Sequence, residues 1–282
     1  MRWRPYQNIV LDCDSTLTRI EGIDELAKLC GRGAEVCELT RQAMEGEMPL
    51  EEVFAHRLAL LRPTRGQIEH VGELYIRNLV EDAREVVRAL QYVGRRVYII
   101  SGGFVLALRR LAAYLGIPLE NVLGVDLWFD ELQGEWFRYH KHQYRPNPEE
   151  RYLAFDETTP TVHSTGKITA IGSLGRQPGG HLLVGDGASD LAAKQVADLF
   201  VGYGGVVTRP TVEQNAEVYI RCESLAPVFV LALGPDGVAQ VEETPFRELF
   251  EKGLRLILDG QVDFRGRFAE LPAELASKRR SS

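Results

Sequence analysis

Four short apolar runs in this chain each end in small or polar residues, with helix-period stretches between them. Ile9-Val10-Leu11 leads into Asp12-Cys13-Asp14-Ser15-Thr16, and Val97-Tyr98-Ile99-Ile100 into Ser101-Gly102-Gly103. Leu182-Leu183-Val184 leads into Gly185-Asp186-Gly187-Ala188-Ser189-Asp190, and Leu199-Phe200-Val201 into Gly202-Tyr203-Gly204-Gly205. Apolar residues recur at helical spacing over Glu85 to Tyr92, Leu106 to Leu115 and Leu191 to Val196. Strand–helix alternation with short connections predicts an α/β fold whose parallel sheet is covered on both faces, with ligands outside the carboxyl ends of the strands. The four polar endings should then face one crevice.

At 282 residues and 45% hydrophobic content, the chain can bury the core of one large α/β domain plus an insertion. A formal net charge of −7 argues against a general nucleic-acid binder, which needs a basic face to displace counterions from phosphates. Cys13, Cys30, Cys37 and Cys222 form no C-x-x-C pair and no disulfide framework, so the sequence suits a reducing compartment. The longest apolar run, around Val228 to Leu233, falls far below the roughly 20 residues a membrane span needs. The expectation is a soluble, cytoplasmic protein with no membrane partner.

After the first strand the alternation stops, and Glu25 to Leu29, Glu35 to Met44 and Leu50 to Leu61 read as helices. Thr64 and Gln67 have the spacing of a capping box opening a further helix through Leu79. Residues 21–79 are therefore expected to form a helical cap, and 1–20 with 80–222 the core. An insertion leaving from the carboxyl end of a sheet can close over the crevice and exclude water. In 135–151, Trp136, Phe137, Tyr139 and Tyr144 alternate with Arg138, His140, Lys141, His142 and Arg145, which reads as an inserted loop or exposed hairpin. Residues 223–282 form an extension: Pro227 to Leu233 a strand or buried helix, Gly234 to Gly237 a turn, Pro245 to Leu258 an amphipathic helix, and Ala276 to Ser282 a frayed end. Dimerisation, core cover and partner binding are all open to it.

Phosphate monoester hydrolysis needs in-line attack, charge neutralisation on the non-bridging oxygens and a proton for the leaving alkoxide. Asp12 could be the nucleophile and Asp14 the acid–base, the turn after the strand dividing their duties. Ser101, Gly102 and Gly103 could take a phosphate through a hydroxyl and unencumbered backbone N–H groups. Lys167 could add a fixed positive charge. Asp186 and Asp190 could bring hard oxygen ligands to Mg²⁺, directly or through water. Each segment alone also has an ordinary structural reading, the D-x-D-S-T as a strand with an Asx turn and the Gly-Gly as a turn. Together they reach one sheet edge in the order a single site would use.

The D-x-D-S-T, S-G-G, downstream Lys and G-D-G-x-x-D motifs resemble the haloacid-dehalogenase superfamily of phosphohydrolases, and closely its phosphoserine phosphatases. The likeness extends from about Ile9 to Ile220 and includes Glu21-Gly22-Ile23-Asp24-Glu25-Leu26-Ala27, Ile99 to Phe104, and Phe155-Asp156-Glu157-Thr158. It implies a Rossmann-like core with a helical cap, Mg²⁺ dependence, and release of L-serine from O-phospho-L-serine in serine synthesis. It further implies Asp12 as nucleophile and metal ligand, Asp14 as acid–base and metal ligand through its main-chain oxygen, and Asp186 as metal ligand, with Asp190 direct or one shell out. Ser101 and Lys167 would clamp the phosphate, with Gly102, Gly103 and Ser189 lining it. Glu21, Met44 and Arg57 would recognise the amino acid, as a zwitterion needs a carboxylate for its ammonium group and a guanidinium fork for its carboxylate. Leu50 stands where the family often has Phe, Val105 where Arg is common, and Ser189 where Asn or Thr is usual.

Two rival activities use the same nucleophile. One is phosphoryl transfer from phosphoserine to another amino-acid hydroxyl such as homoserine; the other is hydrolysis of a different small phosphomonoester. A purely ligand-sensing role would require lost catalytic groups, and none is lost.

Overall fold

A computed structural model describes residues 5–44, 50–131, 146–163, 165–174 and 178–281, and gives the backbone alone for 40–44, 50–51 and 279–281. Strands are β1 (Asn8–Leu11), β2 (Arg96–Phe104), β3 (Val122–Val125), β4 (Leu127–Phe129), β5 (Tyr152–Phe155), β6 (His181–Gly185), β7 (Leu199–Tyr203), β8 (Val218–Ile220) and β9 (Val262–Phe264). Helices α1 (Gly22–Leu29), α2 (Gly33–Met44), α3 (Leu50–Leu61) and α4 (Arg65–Arg77) all fall between β1 and β2 and are followed by α5 (Ala83–Tyr92). The later helices are α6 (Val105–Leu115), α7 (Gly166–Ser173), α8 (Ala188–Ala193), α9 (Pro210–Asn215), α10 (Ala226–Leu233), α11 (Gly237–Val241), α12 (Arg247–Leu258) and α13 (Leu271–Ser281).

Among the described residues the main sheet has seven strands in the order β3-β2-β1-β6-β7-β8-β9, parallel except for the last pair. β1 has β2 on one side and β6 on the other, so it lies where the winding reverses. Such a switch point opens a crevice at the carboxyl ends of the strands. All four β1 residues are buried, Ile9 and Leu11 in the larger core cluster and Val10 in the smaller one on the other face. A strand buried on both faces favours apolar residues, which explains the run Ile9 to Leu11, while the one polar member, Asn8, bonds Gly180 O and Arg96.

The chain leaves the sheet for the four-helix insertion through residues 17–21 and returns through 78–82, and the two linkers run antiparallel. Arg19 N–H donates to Asn78 O at 2.8 Å and Val80 N–H to Leu17 O at 3.0 Å. The Thr64 hydroxyl accepts from Gln67 N–H at 3.3 Å while Gln67 Oε1 accepts from Thr64 N–H at 2.8 Å, so the capping box expected from sequence opens α4. That helix ends at Arg77 rather than Leu79, because Leu79 is drawn into a bridge with Thr18.

β4 and β5 pair antiparallel as a separate ribbon. Much of the expected 135–151 insert, including His140 and His142, lies outside the described residues. Its end is stitched to α4: Gly66 N–H donates to Pro148 O at 2.8 Å, and Arg65 meets the buried Glu150 carboxylate at 2.6 Å.

The boundary at 222 falls short of the sheet. β9 adds an antiparallel edge strand, and all eight residues of α10 are buried between α5 and α12. The strand-or-helix ambiguity at Pro227 to Leu233 resolves to helix, and the face rings of Phe229 and Phe250 meet edge-on at 5.7 Å. The end expected to fray is instead helical to Ser281, with Leu271 and Leu275 buried. The extension is therefore core cover. Phe250→Ala should destabilise the whole chain by about 3–5 kcal/mol in urea unfolding; a loss below about 1 kcal/mol would make the extension peripheral.

Candidate active site

Asp12 and Asp14 follow the last residue of β1, at the switch point. The chain turns at once: the Cys13 carbonyl accepts from the N–H groups of Thr16, Leu17 and Thr18 at 3.3, 2.9 and 3.1 Å, and Ser15 takes a φ of 51°. A left-handed residue other than glycine costs about 1–2 kcal/mol, and here it directly follows Asp14, in the turn that ends the D-x-D pair. Asp12 Oδ1 lies 2.8 Å from Lys167 Nζ. Asp14 Oδ1 instead accepts from Gly22 N–H and from the Tyr75 hydroxyl, each at 2.8 Å, at the start of α1 and within α4. A Cβ on Gly22 would stand 2.0 Å from the Tyr75 oxygen, so only glycine admits this contact.

Lys167 is the second residue of α7 and is buried. It reaches the strand ends because α7 starts hard against the preceding turn: a Cβ on Gly166 would lie 1.6 Å from Pro160 O. Its ammonium also meets Asp190 Oδ1 at 2.7 Å. The fully buried Asp190 side chain crosses Gly185, where a Cβ would stand 2.1 Å from its Cγ, and its second oxygen accepts from Gly187 N–H at 3.1 Å. Both oxygens of Asp190 are thus engaged, and its evident work is orienting Lys167. Asp186 accepts from the Thr16 hydroxyl at 3.1 Å and from Arg209 Nε at 2.8 Å. Arg209 then spans to Glu21 Oε1 at 3.5 Å, which also accepts from the Ser15 hydroxyl at 2.6 Å.

Oxygens of Asp12, Asp186 and Asp190 lie within 4.8 Å of one another, all from buried residues. Hard carboxylate donors grouped this closely and sheltered from water can hold a divalent cation. Burial raises the pKa of Asp14 to about 8, with Glu21 and Asp12 adding to it, and that of Asp190 to about 7 despite Lys167. Burial likewise raises Asp186 and Glu21. For Lys167 burial opposes the charge, but Asp12 and Asp190 outweigh it and its pKa rises.

The S-G-G segment is the end of β2 itself, where the register with β3 shifts between Ile100 and Phe104, and α6 starts only at Val105. Buried Ser101 accepts from Gly103 N–H at 3.1 Å. A Cβ on Gly103 would come within 3.2 to 3.5 Å of the Tyr75 hydroxyl, Ser101 Oγ and Asp14 Oδ2, filling the space between them. Gly102 is exposed beside Thr161, and Ser189 is half-buried at the start of α8. Arg57, half-buried in α3, has its pKa lowered by burial while Asp24 and Glu21 act the other way, so it sits in their field. Met44 ends α2, and its side chain lies outside the described residues.

The structure thus gathers Asp12, Asp14, Glu21, Ser101, Gly103, Lys167, Asp186 and Asp190 at one place. Sequence reasoning missed Arg209 and Tyr75 and gave no part to Ser15 and Thr16. Tyr75 belongs to the buried stripe Ile68, Val71, Gly72, Tyr75, where a phenol hydroxyl calls for a partner. Arg209 comes just after the fourth polar strand ending, a place where a charge faces the crevice.

A parallel sheet carrying acidic groups and a buried lysine at its switch point defines a haloacid dehalogenase-like hydrolase, and a family model described as "Hydrolase: haloacid dehalogenase-like hydrolase" matches residues 6–198. The rat protein named "Phosphoserine phosphatase" is 40% identical over 216 residues, covering 75% of this chain and 88% of that one. The Arabidopsis thaliana protein named "Phosphoserine phosphatase, chloroplastic" is 38% identical over 228 residues, covering 79% and 72%. The crystal structure of a probable phosphoserine phosphatase from Vibrio cholerae superposes with a TM-score of 0.60 at 28% identity, covering 80% of this chain and 63% of that one. The chain belongs to the phosphoserine phosphatase family of the haloacid dehalogenase-like hydrolases.

Protons and a cation would compete for this cluster. A carboxyl whose folded pKa lies above its unfolded value near 3.8, as burial makes those of Asp186 and Asp190, binds more protons in the folded state, so its contribution to stability is whole below about pH 4 and is lost as pH rises through the folded value, about 7 for Asp190. Mg²⁺ should therefore raise the melting temperature more at pH 8 than at pH 6. An equal or smaller shift at pH 8 in differential scanning fluorimetry would contradict the competition.

Proposed function

We propose that this chain is a Mg²⁺-dependent phosphoserine phosphatase, releasing L-serine and phosphate through an aspartyl-phosphate on Asp12. One observation carries the reading. Asp12 is paired with Lys167, while Asp14, two residues on, is kept protonated by burial and tied to the helical insertion. The two carboxyls are thereby prepared for opposite duties, one as a charged nucleophile and one as a general acid. The identity with curated phosphoserine phosphatases supports the same substrate.

Asp12, Asp186 and the main-chain oxygen of Asp14 would hold the Mg²⁺, with Asp190 behind Lys167; when bound, the ion neutralises charge on the phosphoryl oxygens. An Asp12 carboxylate oxygen attacks phosphorus as the ester P–O bond breaks. Because Asp14 Oδ1 is committed to Gly22 and Tyr75, Oδ2, which faces Gly103, delivers the proton to the serine alkoxide. The same oxygen then takes a proton from water as that water attacks phosphorus and the Asp12–phosphorus bond breaks. Ser101 and the N–H groups around Gly102 and Gly103 would receive the non-bridging oxygens, with Lys167 balancing their charge.

Helices α1 to α4 act as the cap. Glu21 would take the substrate ammonium, and Arg57 or Arg209 its carboxylate, with Ser189 lining the pocket. Phe54 of α3 contacts the rings of Phe104 and Phe155 at 6.3 and 5.4 Å, seating the cap on the strand that carries Ser101. All four cysteines are free, which suits a cytoplasmic setting, and no described helix is long and apolar enough to cross a membrane.

Phosphate release from O-phospho-L-serine, its D-form, phosphothreonine, phosphoethanolamine and a sugar phosphate, with and without Mg²⁺, tests the substrate directly. The account expects Mg²⁺-dependent turnover strongly favouring the L-serine ester; equal turnover of phosphoethanolamine would remove Arg57 and Arg209 from substrate recognition. Asp14→Asn should lower kcat by about 10²- to 10⁴-fold, and a near-normal rate would take Asp14 out of its assigned role.

A further inference from the structure

The two linkers that join the helical insertion to the sheet are both gripped by the C-terminal extension. On the entry side, the Arg19 guanidinium pairs with Glu223 and also donates to Leu79 O across the linkers. On the return side, Leu225 N–H donates to Glu81 O at 3.0 Å, and the Ser224 hydroxyl donates to Asp82 Oδ2 at 2.5 Å. Lys252 of α12 then closes the set, its ammonium 2.6 Å from both Glu81 Oε1 and Asp82 Oδ2.

Asp82 is held at a φ of 63°, in the left-handed region, at the start of α5. A non-glycine residue stays there only where its surroundings fix it. Its carboxylate gives no cap to α5 and goes instead to Ser224 and Lys252. Without that ammonium, two adjacent carboxylates would stand on the return linker uncompensated. The base of the grip is rigid: α12 packs on the wholly buried α10, with Gly253 so close that a Cβ would lie 2.3 Å from Ala226 O.

We infer that Lys252 is a positioning residue: through Glu81 and Asp82, together with Glu223 on Arg19, the extension sets how far helices α1 to α4 can swing over the catalytic carboxylates. A body joined by two linkers moves only as their backbone angles change. Asp14 depends on Gly22 and Tyr75 of that body, so fixing the linkers fixes the partners of the general acid. The kinetic consequence rests on the phosphatase reading, whereas the mechanical one does not.

The test compares Lys252→Met, Lys252→Arg and Glu223→Gln with Arg247→Gln, which breaks an exposed pair to Glu251 on the same helix without touching either linker. Hydrogen exchange at the amides of Arg19 and Val80 needs no substrate and should quicken in Lys252→Met and Glu223→Gln only. The KM for O-phospho-L-serine should rise about 3- to 10-fold in those two variants with kcat within twofold, and Lys252→Arg should restore it. Unchanged exchange at both amides in folded Lys252→Met and Glu223→Gln would overturn the inference. So would a KM rise in Arg247→Gln equal to that in Lys252→Met. Were phosphoserine not turned over at all, the exchange result would still decide the linker claim by itself.

Discussion

The Lys167 ammonium between Asp12 and Asp190 is the interaction on which the rest of the site depends. Buried carboxylates packed this closely repel one another and lose hydration, and the Lys167 ammonium offsets that cost at both Asp12 and Asp190. The backbone is shaped to allow it. Leu11 is in register with Val184 in adjacent parallel strands, so Asp12 and Asp186 emerge side by side within two residues of that pair. Gly185 makes room for Asp190, and Gly166 lets α7 approach until Lys167 can reach both carboxylates.

A second network joins this charge cluster to the helical insertion. Asp14 hangs from Gly22 and Tyr75, while Glu21 is held by Ser15 and Arg209, the latter also engaging Asp186. Asp14, Glu21 and Asp186 are therefore mechanically linked to the insertion: a displacement of α1 or α4 changes the partners of Asp14. The extension underlies the same device from below, with α10 filling the core face and α12 holding the linkers. A chain region that looks additional to the family core thus has a defined load in the fold.

Much of this was legible because strands buried on both faces leave continuous apolar runs, and their carboxyl ends then show as polar punctuation. Asp12, Asp14, Ser101, Asp186 and Asp190 were read in that way, Lys167 from its place beside Gly166 at the head of a helical stretch, and the Thr64–Gln67 box from cap spacing. The extension resisted because α10 is apolar on every side, so its periodicity does not tell helix from strand. The three-residue β9 is too short to show alternation at all. Tyr75 and Arg209 were hidden for a different reason: each reaches the site from an element whose placement is a tertiary fact, 61 and 23 residues from the carboxylate it meets. Asp190 illustrates the middle case, recognised as part of a metal motif but found with both oxygens committed to Lys167 and Gly187.

The central claim is that Asp12 itself carries the phosphoryl group. Its most direct test is acid quenching during turnover of radiolabelled O-phospho-L-serine, followed by peptide mapping of the protein-bound label. The account predicts an acid-stable, alkali-labile label on the peptide bearing Asp12, absent from Asp12→Asn. Full hydrolysis by wild-type enzyme with no label on that peptide at any quench time would contradict it and make water the direct attacking group.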